Sequence, residues 1–455
     1  MRPDFRAHRA SGAIVLSLFM SLPSPAGHAA ERAALGAAMP GFEAPSGPPP
    51  DAAAPLGDEP RGAITLRDAV AAALLRHPTL AADSWAVRSH EARALQAGAL
   101  PNPELTVEVE NVGGQGDRAD FERTETTLWL WQLVELAGKR SKRRAVAEQR
   151  GELARWDYEA RRLAVLTATT KAFVAVLAEQ ERLRRAADLE GLSEASVGEM
   201  RRQLAAGAVS PVDVAQAEVV HAGAQLDRGR VERSLVNRRA ALAATWGSES
   251  PRFTALRGDL GDGVSAPPPL AGLVARLDAN PDVARWDSEL AEREAQLALA
   301  RAGRVPDPTL GIGGRHFSDN GDNALVFQFT LPLPVFDRNR GNVLAAGRDL
   351  ARARADRAAA ELSVRMTLVR RHADLAAAFA ETVVLRQRSI PSAERAFAGT
   401  RGGHRQGLFN GYDVLAAQRT LVDLRVREVD ALLAYHHARA DVERLVATPL
   451  QGETP

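Results

Sequence analysis

The stretch QLAAGAVSPVDVAQ, residues 203–216, carries the clearest fold signal, because it ends one helix and starts the next. Gly207 suits the left-handed residue that closes a helix. Ser210 is a good N-cap, Pro211 suits the first helical position, and Asp213 completes a capping box three residues after the cap. The stretch therefore predicts a sharp helical hairpin with its tip between Gly207 and Pro211.

The same signals return 200 residues later, in RQGLFNGYDVLAAQ at residues 405–418. Gly407, Asn410 and Asp413 take the glycine, cap and acid positions at a constant offset (407 − 207 = 200). A fixed offset indicates internal repetition, so the chain is a tandem duplication. The predicted divisions are a signal peptide (1–29), a flexible leader (30–60), a first repeat (61–246), a linker (247–269), a second repeat (270–447) and a C-terminal tail (448–455).

The first 29 residues have the pattern of a cleaved export signal. Arg2, Arg6 and Arg9 precede an apolar core at residues 13–22, and Gly-His-Ala at residues 27–29 is a small-x-small cleavage site. About ten apolar residues are too few to span a bilayer. The chain contains no Cys, which excludes a lipid anchor on Cys, a disulfide and a thiolate metal site.

Charge and composition bear on the possible partners and on the segment after the signal peptide. The formal net charge is +1, so nothing favours a nucleic-acid partner. The segment from residue 31 to 59 is rich in Ala, Pro and Gly without an apolar period, which is typical of a flexible leader.

Each repeat contains two segments with the alternation of a β-strand. In the first repeat, apolar residues at 105, 107 and 109 alternate with polar ones, a loop spans 111–123, and a second strand returns over 126–133. In the second repeat, a strand at 310–312 is followed by a loop from His316 to Asn323 and a strand over 325–331. The predicted apolar face contains Leu105, Val107, Val109, Phe327 and Phe329, and the predicted polar face contains Glu108, Glu110 and Gln328.

Strands of about eight residues that are apolar outside and polar inside are typical of a transmembrane β-barrel wall. The alternative is a pair of surface hairpins packed on helices. Four strands cannot enclose a lumen, and an open sheet edge cannot lie in lipid. If the strands span the membrane, several chains must share one barrel, and three chains would supply twelve strands.

The helices are unusually long. No Pro interrupts residues 141–206, and only Pro391 interrupts residues 342–406. Sixty-six helical residues extend about 100 Å. Leu362, Val369, Ala376 and Val383 recur every seven residues and predict a coiled-coil seam. Two shorter helices stacked end to end, one leading into the strands and one returning from the tip, would match each long helix. The predicted fold class is mainly α, with duplicated helical hairpins forming an α-barrel and four strands per chain contributing to a β-barrel.

These features together resemble the outer-membrane efflux proteins, the TolC-like trimeric channel-tunnels. The resemblance covers nearly all of the chain after the signal peptide. It rests on the duplication, on Pro-Asn-Pro at 101–103 and Pro-Asp-Pro at 306–308 before the strands, and on the two tip motifs. Residues 132–140 and 331–341 look most like the heavy-metal branch, the CzcC-like channels.

The resemblance implies a passive duct. In such proteins, three chains form the barrel and tunnel, and the hairpin tips meet a periplasmic membrane-fusion adaptor coupled to an inner-membrane RND-type pump. It places Asp213 and Asp413 around the periplasmic aperture, although helix capping explains both acids equally well. The tip residues implied to contact the adaptor are Gly207, Ser210, Pro211, Gly407, Phe409 and Asn410.

Other candidate chemistry is weak. His437 lies six residues before Glu443, which is not the spacing of three or four that places two ligands on one helix face. The glycines at 113, 114 and 116 lack the Lys-Ser/Thr of a phosphate loop. We therefore predict no enzyme, no cofactor and no metal site. A duct for drugs or secreted proteins and a soluble periplasmic coiled-coil adaptor remain the alternatives.

Overall fold

The computed structural model describes residues 58–114 and 121–450, together with Leu35, Met39, residues 41–47 and Gly116. The predicted signal peptide lies outside the described residues. So do most of the leader, part of the loop at 111–123 and the last five residues of the tail.

The two repeats have the same order of long helices and long strands. The first repeat contains β1 (Gly62–Ile64), α1 (Leu66–Arg76), α2 (Pro78–Ala97), β2 (Glu104–Glu110), β3 (Glu125–Leu133), α3 (Lys139–Ala205) and α4 (Pro211–Ala244). A connecting segment carries β4 (Phe253–Leu256). The second repeat contains α5 (Leu270–Val274), a 3₁₀ turn (Leu277–Ala279), α6 (Pro281–Ala302), β5 (Thr309–Phe317), β6 (Asn323–Thr330), α7 (Arg340–Val384), a π-helical turn (Leu385–Ser389), α8 (Ile390–Arg405) and α9 (Gly411–Val446).

The longest helix, α3, is unbroken over 67 residues and shorter helices lie along it. Near its start α3 contacts α2, where Arg155 Nη2 lies 3.0 Å from Glu91 Oε1. Near its end it contacts α4, where Arg201 Nη2 lies 2.6 Å from Glu218 Oε1. Two shorter helices thus cover successive parts of one long helix. The mainly α fold with a small β part is confirmed.

The outgoing helix of the second repeat is interrupted where the first is continuous. The π turn at Leu385–Ser389 ends just before Pro391. A proline inside a helix has no N–H to donate, and its ring collides with the carbonyl four residues earlier. A π turn widens the helix at one point and so accommodates the ring.

The predicted heptad seam does not form the core within the chain. Leu362 is 61% exposed and Val369 is 37% exposed, whereas Leu368 and Leu375 are fully buried. The helix has two apolar stripes, and the seven-residue spacing identified the outer one. On this outer stripe Leu362 and Val369 are exposed, whereas Ala376 and Val383 are half-buried.

The segment connecting the repeats forms a small core halfway along the helices. β1 pairs with β4 in parallel, which brings the start of the first repeat onto this segment. Trp246 packs edge-on against Phe253, with ring centroids 5.9 Å apart. Both belong to a buried cluster that also includes residues of α1, α3 and α9.

Part of the leader is docked rather than free, contrary to the expectation of flexibility. The Tyr158 hydroxyl donates to the Phe42 carbonyl oxygen at 2.7 Å. The Ala44 N–H donates to Ser84 Oγ at 2.7 Å, and Arg88 Nε donates to the Ala44 carbonyl oxygen at 2.7 Å. Side chains of α2 and α3 thus form hydrogen bonds with backbone groups of residues 42–44. Apolar periodicity in the sequence does not reveal this kind of contact.

The four longer strands form one antiparallel sheet in the order β2-β3-β5-β6. The pairing of β3 with β5 joins the two repeats. His316, predicted to begin a loop, lies instead inside β5, opposite Thr126 on one side and Asn323 on the other. Ladder pairing on both sides extends this strand beyond the point where apolar alternation ends.

Candidate channel wall and hairpin tips

One face of the four-stranded sheet is continuously apolar and exposed. The register places Leu105 opposite Leu130, and Leu130 opposite Ile312. Ile312 in turn lies opposite Phe327, which is 72% exposed. The same face contains all the residues predicted for it, namely Leu105, Val107, Val109, Phe327 and Phe329, together with Leu128, Leu310 and Leu325.

The opposite face is polar and rich in carboxylates. Glu108 Oε2 accepts a hydrogen bond from Trp129 Nε1 at 2.9 Å. Glu110 Oε2 lies 3.1 Å from Arg315 Nη2, and Arg315 Nη1 lies 2.9 Å from Glu125 Oε2. Gln328 is on this face as well. The structure therefore brings Glu108, Glu110 and Gln328 to one surface, as predicted.

The two tryptophans of β3 correct the expectation that all four strands are apolar outside and polar inside. Trp129 and Trp131 lie on the polar face, stacked with their centroids 4.9 Å apart. A Cβ on Gly311 would overlap the Trp131 ring, and a Cβ on Gly313 would stand 2.9 Å from the Trp129 ring. The two rings occupy the space that side chains at these two β5 positions would take. Both tryptophans of β3 therefore pack against the backbone of β5.

Sequence reasoning missed Arg315, Glu125 and the orientation of the tryptophans. Strict alternation from Gly311 through Gly313 would have placed Arg315 on the polar face. The alternate glycines of β5 were the signal that large side chains from a neighbouring strand cover it.

The first hairpin tip has the predicted geometry. Gly207 has a φ of +73°, and the Ala208 N–H donates to the Gln203 carbonyl oxygen at 2.9 Å, which closes α3. The Ser210 hydroxyl and backbone N–H donate to Asp213 Oδ2 at 2.7 and 2.8 Å. The Asp213 N–H donates back to Ser210 Oγ at 3.3 Å, which completes the capping box.

The carboxyl of Asp213 is exposed and tied to its own cap. The hydrogen bonds from the Ser210 hydroxyl and backbone N–H lower the pKa of Asp213 below its ordinary value. This acid therefore stays ionised at neutral pH while it caps α4. Both roles considered for it, helix capping and a charged aperture, are compatible with this position.

The second tip repeats this geometry with different side chains. Gly407 has a φ of +77°. The Asn410 N–H donates to Asp413 Oδ2 at 3.0 Å, and the Asp413 N–H donates to Asn410 Oδ1 at 2.9 Å. Phe409 folds back over Gly403, where a Cβ would stand 2.5 Å from its ring. This close approach of the backbone explains a glycine within the last turns of α8.

The two tips lie side by side. A Cβ on Gly411 would stand 3.1 Å from Met200 Cε, so the start of α9 touches the end of α3. Pro211 at the first tip and Leu408 and Phe409 at the second are exposed. The end of the molecule is thus a small surface of mixed apolar and acidic character.

His437, which was considered as a metal ligand, and its neighbour His436 both have structural partners. His436 Nε2 bonds the Leu260 carbonyl oxygen at 2.8 Å, and His437 Nε2 bonds the Lys171 carbonyl oxygen at 3.1 Å. Burial lowers the pKa of both imidazoles. Glu443 pairs with Arg439 at 2.9 Å. Over residues 58–114 and 121–450, no group of three or more His, Asp or Glu side chains converges as metal ligands would.

Comparison with known proteins agrees with this geometry. The family described as outer membrane efflux protein matches residues 69–248 and 273–448, one match per repeat. The cobalt-zinc-cadmium resistance protein CzcC of Cupriavidus metallidurans is 33% identical over 388 residues, covering 85% of this chain and 91% of CzcC. The nickel-cobalt-cadmium resistance protein NccC of Alcaligenes xylosoxydans xylosoxydans is 27% identical, covering 61% of this chain and 62% of NccC.

The fold also matches a solved channel. A crystal structure of CusC, reported with its conformational changes during folding and transmembrane channel formation, superposes with a TM-score of 0.74. It covers 84% of this chain and 92% of CusC at 17% identity. The chain is therefore a member of the outer membrane efflux protein family, an outer-membrane channel protein and not an enzyme.

Proposed function

We propose that three copies of this chain form one passive duct that exports divalent heavy-metal cations of the cobalt, zinc, cadmium and nickel type. The observation that carries the proposal is a sheet with two unlike faces and two free edges. Within the described residues, β2 pairs only with β3 and β6 pairs only with β5. Unpaired backbone cannot face lipid, so each free edge needs a neighbouring copy. Three copies of four strands give a closed barrel of twelve.

The two faces fit this arrangement. The apolar face of the sheet turns to lipid, and the polar face lines the lumen. The lumenal face carries Glu104, Glu108, Glu110 and Glu125 against Arg315, a formal charge of −3 per chain (−4 + 1). Carboxylates lining a confined passage attract cations and repel anions.

The hairpin tips form the other end of the duct in this proposal. Asp213 and Asp413 would place six carboxylates around the aperture of a threefold assembly. The exposed tip residues at 207–211 and 407–410 would contact a periplasmic membrane-fusion adaptor, which couples the duct to an inner-membrane RND-type pump. The exposed part of the outer stripe of α7, which includes Leu362 and Val369, would pack against a neighbouring copy.

The choice of substrate rests on the relatives. The names of CzcC and NccC include cobalt, zinc, cadmium and nickel, and the match to CzcC extends over 91% of that protein. The acid-rich wall and tips are consistent with cationic cargo, which here is transported rather than bound as a cofactor.

The test of this function is a growth assay with the gene deleted and restored. We expect deletion to lower the inhibiting concentrations of Co²⁺, Zn²⁺, Cd²⁺ or Ni²⁺ and restoration to reverse the effect. Hydrophobic drugs tested in the same strains provide the control. Sensitisation to drugs but not metals would favour a drug or protein-secretion duct and contradict the metal assignment. A protein recovered in the soluble fraction would indicate a periplasmic adaptor instead.

The role of the tip acids can be tested separately. Purified protein in a planar bilayer is expected to be cation-selective, and Asp213→Asn with Asp413→Asn should reduce that selectivity. The caps Ser210 and Asn410 are unchanged in the double variant, and an Asn side-chain oxygen can still accept from the backbone N–H of each cap, so the helix ends should be kept. Unchanged cation selectivity would show that these acids serve only as caps.

A further inference from the structure

The chain enters a helix through a basic turn after the second strand of each repeat, and two cations of the first turn form ion pairs within the chain. Lys139 Nζ lies 2.7 Å from Asp307 Oδ2. Arg143 forms a two-pronged pair with Glu135, in which Nη2 donates to Oε2 at 2.9 Å. Lys139 and Arg143 are therefore paired with carboxylates of the same chain, whereas Lys142 Nζ donates to the Ala137 carbonyl oxygen at 2.6 Å and Arg140 is exposed.

The corresponding turn of the second repeat is not neutralised. Arg301 and Arg304 at the end of α6, with Arg340 and Arg348 at the start of α7, line one open concavity of about 540 Å³. All four side chains belong to exposed residues. Across the described ranges, no carboxylate oxygen lies within 4 Å of any of these four guanidiniums. Four cations around one cavity repel each other unless an anion lies between them.

The start of α7 adds further donors to this concavity. The side chain of Asn339, the N-cap, makes no capping hydrogen bond, so the first turn of this 45-residue helix keeps free N–H groups. Gly341 lines the concavity and leaves the backbone open to a ligand. The positive end of the α7 dipole disfavours Arg340, which lies in the first turn, and favours an anion.

The position of the concavity identifies the source of the anion. Arg304 precedes β5 by five residues, and Arg340 follows β6 by ten, so both lie just beyond the periplasmic end of the sheet. The loop between β6 and α7 exposes Leu333, Val335 and Phe336, and Phe336 is 99% exposed. Exposed apolar side chains next to arginines are typical of a membrane–water interface.

We propose that the concavity binds the phosphate of an anionic phospholipid from the periplasmic leaflet of the outer membrane. The guanidiniums and the free N–H groups of α7 hold the phosphate. Leu297 and Leu344 in the concavity, with the apolar loop, contact the first carbons of the acyl chains. The duct is thereby fixed at one depth in the membrane, through the second repeat only.

The test compares lipid binding by two double variants of the full chain, each kept in its native oligomeric state. Arg301→Gln with Arg340→Gln removes two charges from the concavity. Arg365→Gln with Arg370→Gln removes two exposed charges from the same helix far from the sheet. Native mass spectrometry counts phosphatidylglycerol retained from mixed vesicles with phosphatidylethanolamine. We expect roughly thirtyfold weaker retention in the first variant, from about 1 kcal/mol per arginine, and no change in the second.

Three results would overturn the proposal. One is equal retention of phosphatidylglycerol by the wild type and both variants. Another is phosphatidylcholine bound as strongly as phosphatidylglycerol. The third is inorganic phosphate bound at the concavity in detergent without displacement by phosphatidylglycerol, which would indicate a site facing water. If the glutamine variant fails to assemble, Arg301→Lys with Arg340→Lys keeps the charges, and it should retain phosphatidylglycerol within a few-fold of the wild type.

Discussion

The two repeats share one architecture but differ at three corresponding places. The outgoing helix is continuous in the first repeat and interrupted by a π turn in the second. The basic turn after the strands is paired in the first and unpaired in the second. The first tip begins with Ser-Pro and the second with Asn-Gly. The first repeat is thus the more regular half. The second repeat contains the interrupted helix and the basic turn without ion pairs, for which we propose a lipid phosphate as the partner.

This difference shows which parts of the duplicated sequence determine the fold. The tips kept a left-handed glycine, a cap and an acid, and they have nearly the same hydrogen bonds. The middle of the long helix tolerated a proline, because the helix could widen locally. The residues that end and start the helices at the tips therefore determine the hairpin architecture. A proline within the long helix changes only the local helix geometry.

The largest effect on the yield of assembled protein should come from breaking the contact that joins the repeats. In Gly313→Val, a Cβ would stand 2.7 Å from the Leu128 carbonyl oxygen, a backbone atom that cannot move aside. Because overpacking costs about 1–3 kcal/mol and more where backbone is involved, we expect loss of folded oligomer from the outer-membrane fraction. Gly314→Val is the matched control, since a Cβ there meets nothing within 4 Å. Equal yields of the two variants would contradict the close packing.

The interruption of α7 can be transferred to the first repeat. Position 191 of α3 corresponds to Pro391 at the offset of 200. Gly191→Pro should destabilise the helix by about 3 kcal/mol or more, measured by hydrogen exchange of the amides preceding it. Gly191→Ala is the control and should stabilise the helix by about 0.5–1 kcal/mol.

In the second repeat, Pro391→Ala should raise the protection of the amides of residues 385–391 from hydrogen exchange. Unchanged protection there would mean that the proline does not cause the π turn.

The two caps should be of similar strength despite their different side chains. Ser210→Ala and Asn410→Ala should each cost about 1 kcal/mol of helix stability. Faster hydrogen exchange at the first turn of α4 or α9 is the measurement. Ser210→Thr keeps a hydroxyl cap and should exchange nearly as the wild type does. A strong effect at one tip only would show that the tips are not equivalent.

The smallest expected effect is a response of the first tip to acid. The pKa of Asp213 is lowered by its cap, so its stabilising contribution is complete above the ordinary pKa of about 3.9. This contribution is lost as the pH falls through the lower pKa of the folded state. Protection factors at residues 211–214, corrected for intrinsic exchange, should fall in that range. Asp213→Asn should remove the pH dependence, and a dependence that persists would assign it to another group.

Some of this structure follows from sequence, and the reasons for the rest are physical. Capping chemistry is local, so Gly207, Ser210 and Asp213 predicted the tip. Alternation is also local, so it placed Leu105 and Glu108 on opposite faces. The placement of the tryptophans of β3 on the polar face was not predicted, because it depends on the glycines of another strand, β5.

In the proposed assembly, three copies of the chain close one barrel through the free edges of β2 and β6. The chain contains no Cys, so introduced cysteines can cross-link only with each other. Val107→Cys would be combined in turn with Leu325→Cys, Phe327→Cys and Phe329→Cys, all on the same face, and oxidised in the membrane. If three copies share the barrel, one of the three cysteine pairs should give a covalent ladder of one, two and three chains. A single band in every register, or a ladder that extends beyond three, would contradict it.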